Sequence, residues 1–117
     1  MATEHPSVEN HFSGRSPAVR QIYDRLLSAT STFGPFAEDP KKTSIHLNRK
    51  TAFAGVMTRK DCLILTLKAA QDIESPRVSK HEQASAHRWH LEVKLQDPGE
   101  VDPELVGWLK EGYDLSA

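Results

Sequence analysis

Residues 42–68 read KTSIHLNRKTAFAGVMTRKDCLILTLK, and their period decides the fold. Thr43, Ile45 and Leu47 alternate with Ser44, His46 and Asn48, the spacing of two that sends successive side chains to opposite faces of a strand. Arg49-Lys50 is a polar turn, and Thr51 to Met57 then carries Ala52, Phe53, Ala54 and Val56. Arg59-Lys60 turns the chain again. From Asp61 to Lys68, Leu63, Leu65 and Leu67 fall on one face and Cys62, Ile64, Thr66 and Lys68 on the other. Three strands joined by short turns predict an antiparallel meander.

Downstream, residues 69–86 (AAQDIESPRVSKHEQASA) show no sustained period and read as a long polar connection with a short extended piece at Pro76 to Ser79. His87 to Leu95 restores alternation, with Trp89, Leu91, Val93 and Leu95 inward and Arg88, His90, Glu92 and Lys94 outward. A helix follows: Asp102 caps it, Pro103 takes its first position, Val101 can staple onto Val106, and Leu105, Trp108, Leu109 and Tyr113 form its stripe. Upstream, Ser16 and Pro17 open a helix to about Thr30 with Val19, Ile22, Tyr23, Leu26 and Leu27 at three-to-four spacing. Phe33-Gly34-Pro35 ends it, and an acidic loop runs through Asp39-Pro40. Ser7 to Phe12 suggests a short turn capped by Ser7 and closed by Gly14 in a left-handed conformation.

The expected architecture is α+β: an antiparallel four-stranded sheet, made of the meander plus the late strand, with an N-terminal and a C-terminal helix packed on one face. Residues 7–114 form a single domain, with 1–6 and 115–117 as tails. Trp89 and Trp108 are expected in one core with Leu63, Leu65 and Ile22. The other sheet face is left to water.

At 117 residues the chain can bury one sufficient core without disulfide or metal. No apolar run approaches the roughly 20 residues of a membrane-spanning helix. The opening MATEHPSVEN lacks the basic-then-apolar pattern of a signal peptide, and Cys62 is the only cysteine, so a cytoplasmic protein is expected. The net charge of −1 is a cancellation. Residues 41–94 hold 11 Lys+Arg against 5 Asp+Glu, whereas the two flanks together hold 4 against 11. Four of the six histidines lie in the same central stretch. The sheet therefore presents a cationic face between acidic helical ends.

With these elements placed, the chain resembles a small bacterial family, domain of unknown function 5655, sometimes labelled a predicted transport protein. The resemblance covers about residues 7 to 114. It rests on the Val8 to Phe12 turn before Gly14, the Pro17 helix, Lys42-Thr43, Phe53-Ala54, and Arg59-Lys60 before the leucine-rich strand. Arg77, His90, Val101-Asp102, Trp108-Leu109 and Tyr113 complete it. The family often has proline at the position of Thr58 and alanine at that of Gly112. The resemblance implies a compact α+β domain and no assigned activity.

Histidines three apart in a strand, such as His87 and His90, face opposite ways and cannot chelate together, whereas His46 and His90 share the outward face. No metal and no cofactor is expected. Cys62 follows Asp61, whose charge disfavours a thiolate, and no nucleophile elbow occurs. A weak phosphate-ester hydrolase or nuclease is an alternative, and a nuclease of the acidic-pair-plus-lysine type would require Asp61, Glu92 and Lys94 to converge. Lys42, His46, Lys68, Arg77, Arg88, His90 and Lys94 instead suggest a non-catalytic site for an anionic small molecule, nucleotide or acidic protein partner. Nucleic-acid binding is expected to be weak at best, since the pI is 6.6 and both tryptophans sit on core stripes. A protein–protein interaction module pairing through an edge strand is the remaining alternative, and nothing in the sequence fixes an oligomeric state.

Overall fold

A computed structural model describes residues 7–117. The expectation for residues 1–6 lies outside the described residues. Helix α1 spans Pro17–Ser31 and helix α2 Pro103–Leu115; six strands lie between them. These are β1 (Ala37–Pro40), β2 (Ile45–Asn48), β3 (Ala52–Thr58), β4 (Leu63–Ala69), β5 (Val78–Ser85) and β6 (Arg88–Leu95), with short 3-10 turns at Glu9–Phe12 and Pro98–Glu100. All ladders are antiparallel, in the order β1-β2-β3-β4-β6-β5.

The meander and the late strand form as their alternation requires. Ile45, Leu47, Ala54, Val56, Leu63, Leu65, Leu67, Leu91, Val93 and Leu95 point to one side and share a single core with Val19, Ile22, Tyr23 and Leu26 of α1 and Leu105, Leu109 and Tyr113 of α2. Both helices thus cover one face. Their apolar stripes have nowhere else to bury.

The sheet has six strands, not the expected four. The acidic loop contains β1, and the long connection contains all of β5. Both additional strands are edges, and both are largely exposed on either face: only Val78 of β5 is buried. A strand that buries neither face carries no hydrophobic alternation, so backbone pairing with β2 and β6 forms these strands without a side-chain signal. The true connection shrinks to residues 70–77, a crossover that passes β6 to join the parallel strands β4 and β5.

Smaller features follow the sequence unevenly. Asp102 accepts from the Leu105 backbone at 3.0 Å as an N-cap should, whereas Ser16 occupies the cap of α1 without a capping bond from its hydroxyl. Gly14 has φ 73°, and Ser7 Oγ accepts from the Asn10 backbone at 3.2 Å. Trp89 and Trp108 are only partly buried, at the border of the core rather than inside it. Leu115 and Ser116 belong to the fold rather than to a tail: Leu115 closes α2 and Ser116 is 1 % exposed.

Candidate functional site

The face of the sheet turned away from the helices carries the outward side chains. One register row crosses all six strands as Asp39, His46, Gly55, Thr66, Glu92 and Lys80. Lys68 and His90 pair in an adjacent row between β4 and β6. Where these rows meet β3 the face sinks into an open depression of about 290 Å³, with Gly55, Ala52 and Thr66 among its lining. Ser44, His46, Met57, Lys68 and His90 also line it. The depression exists because the residue between His46 and Thr66 has no side chain. A Cβ at Gly55 would stand 3.7 Å from Thr66 Cβ, an ordinary contact, so packing does not demand the glycine.

Lys68 is the distinctive group. Its Nζ donates to Ser116 Oγ at 2.7 Å and Thr51 Oγ1 at 3.1 Å, and among the described residues it has no carboxylate partner. Burial lowers its pKa below the usual lysine value, and the neighbouring positive charge of Arg88 acts in the same direction. Two of its three N–H donors are used, leaving one.

The two histidines on the rim each have a carboxylate nearby. His90 Nδ1 lies 3.6 Å from Glu82 Oε1, and His46 pairs in register with Asp39. His46 and His90 stand on opposite rims with two strands between them and one row of offset, about 16 Å apart at the usual strand spacing, too far to share a metal. Among the described residues no group of three or more His, Cys, Asp and Glu side chains could hold a metal.

Of the seven candidates, three line the depression, His46 on one rim and Lys68 and His90 on the other. Arg88 lies beside them at the start of β6. Lys42 sits in the exposed turn before β2, and Lys94 faces outward opposite Ile64, about 13 Å along β6 from His90. Arg77 is elsewhere altogether. Its Nη1 donates to Asp102 at 2.9 Å and Glu104 at 3.1 Å, its Nη2 to the Glu100 carbonyl at 2.6 Å, and it lies 5.7 Å from the Trp108 ring centre.

A family model described as Domain of unknown function (DUF5655) matches residues 8–116. The chain belongs to that family. No curated protein and no solved structure matches it at a significant level. The Thr58 hydroxyl has local work: it accepts from Arg15 Nε at 3.1 Å and donates to the His11 carbonyl. No helix among the described residues is long and apolar enough to cross a membrane.

Of the residues lining the depression, the sequence singles out His46, Lys68 and His90 as ligand candidates but not Gly55, Ser44 or Met57. The available signal was an isolated glycine at an outward strand position, which marks a close approach or a gap. Met57, at 42 % exposed the sole large exposed apolar side chain among the described residues, lies on this same face.

Proposed function

We propose that the domain binds a small anionic ligand in the depression between His46, Lys68 and His90, and does so as a non-catalytic cytoplasmic binding module. The observation that carries this reading is Lys68: a lysine partly withdrawn from water, held by two hydroxyls beside an open concavity, with a donor to spare. Arg88 adds positive potential at the same end. Interaction through the outer edge of β5 is the second reading, because β5 pairs only with β6 among the described residues and its other edge carries no partner strand. Lys80 and Glu82 on that strand are charges of the kind that discourage edge pairing, which ranks it below the first.

The test is a thermal-shift screen at low salt with nucleotides, phosphates, mono- and dicarboxylates and short oligonucleotides. A ligand of this site raises the melting temperature, and added salt reduces the effect. Gly55→Val is the decisive control. The strand interior should accept it with unchanged or slightly raised stability, by up to about 1 kcal/mol, while the side chain fills the depression and abolishes the shift. A shift that survives Gly55→Val places the ligand elsewhere, and no shift with any anion promotes the edge-strand reading.

A further inference from the structure

The distribution of charge around the depression narrows the ligand class. Carboxylates stand among its cations at nearly every step: Asp39 opposite His46, Glu82 at 3.6 Å from His90, and Glu92 in the same row as Gly55 and Thr66, 4.0 Å from Lys80. A ligand with charges spread along its length would bring some of them against Asp39 or Glu92. Lys68 alone of the lining cations has only neutral partners. The rest of the surface offers methyl and methylene groups: Ala52, the bare Gly55, the Thr66 side chain and exposed Met57.

Resting on the reading above, we infer that the site is built for a single-headed amphiphile, a small monocarboxylate whose head meets Lys68 and whose apolar body lies across Gly55 toward Met57. The dimensions agree. Thr66 is two strand residues from Lys68, about 7 Å along β4, and Ile64, the register partner of Met57, is about 13 Å away. Lys68 Nζ is held on the Thr51 side of the depression, so a chain of six carbons lies over Ala52 and Gly55 and ends short of Met57. A volume of about 290 Å³ is at the small end of ligand sites and suits so compact a molecule. Covering Ala52, Gly55 and the Thr66 methyl also removes apolar surface from water, a gain that inorganic phosphate or a short dicarboxylate cannot make.

The experiment is amide NMR titration of the full chain with hexanoate and benzoate, against hexanol, succinate and inorganic phosphate, following the Gly55 and Thr66 amides. Hexanoate and benzoate are expected to perturb both amides. Hexanol, the uncharged isostere, should bind at least about tenfold more weakly, as should hexanoate to Lys68→Met, which keeps the stem and removes the charge. Gly55→Val should abolish the perturbations while the spectrum stays dispersed. Phosphate or succinate binding there as tightly as hexanoate would overturn the amphiphile and leave the anion site standing. Equal binding of hexanol would overturn the role of Lys68. Silence of both amides with every compound would overturn this inference and the site together.

Discussion

Phe53→Ala is expected to lower the unfolding free energy by about 3–5 kcal/mol, a large share of the roughly 5–15 kcal/mol that holds a domain of this size together. Phe53 is fully buried, and it sits where the β2–β3 register shifts beside Leu47 and Asn48, so that it and Ala54, though consecutive, are both inside. Its ring meets Tyr113 of α2 edge-on at 5.3 Å and Phe36 at 6.5 Å. Truncation would leave a cavity that cannot easily collapse, because α2 is already as close to the sheet as its backbone allows. A Cβ at Gly112 would lie 2.9 Å from the carbonyl oxygens of both Phe53 and Lys68. Urea denaturation should show the midpoint falling with an unchanged slope, and Phe53→Leu should recover more than half of the loss. A loss under about 1 kcal/mol would mean that the bulge does not turn Phe53 into the core.

The same region shows why the site was harder to read than the fold. Strand β4 announces itself, because Leu63, Leu65 and Leu67 need one dry face, and β6 does so through Leu91, Val93 and Leu95. Strand β5 is as long as β6, yet a sequence such as Lys80 to Ser85 forms it with every one of those six side chains exposed. Its stability comes from main-chain pairing to β6, which leaves no trace in residue type. The depression is invisible for a related reason. It depends on His46, Gly55 and Thr66 being register neighbours on three strands, and register follows from turns and a bulge rather than from the residues themselves. Composition concentrated the Lys and Arg residues in 41–94, but only the folded chain shows which of them carboxylates claim: Glu92 of the same stretch stands by Lys80, while the acidic flanks supply the partners of Lys41 and Arg77. Arg77 is the clearest instance: Glu100, Asp102 and Glu104, all outside the central stretch, claim it.

Arg77→Ala is therefore expected to act on stability, by about 2 kcal/mol, and to leave the anion binding proposed for the depression intact. Its guanidinium ties the crossover 70–77 to the N-terminus of α2 through two carboxylates and the Glu100 carbonyl, and its side chain is 22 % exposed. An exposed ion pair alone would be worth under about 1 kcal/mol; the carbonyl bond and the contact with Trp108 raise the expectation. Arg77→Lys should recover little, because an ammonium cannot reach a carboxylate and the carbonyl with the same fixed fork. The difference between wild type and Arg77→Ala should depend on pH. Asp102 is held below the usual carboxylate range, first by the Leu105 backbone N–H it caps and then by Arg77. A depressed carboxylate contributes stability above its unfolded pKa and loses it as pH falls through the folded value. The two denaturation curves should hence be furthest apart near neutrality and approach each other below about pH 4. Chemical denaturation from pH 7 down to pH 3 checks this, with the thermal-shift ligand screen run on the same variant. Unchanged stability together with lost anion binding would move Arg77 from the scaffold to the site.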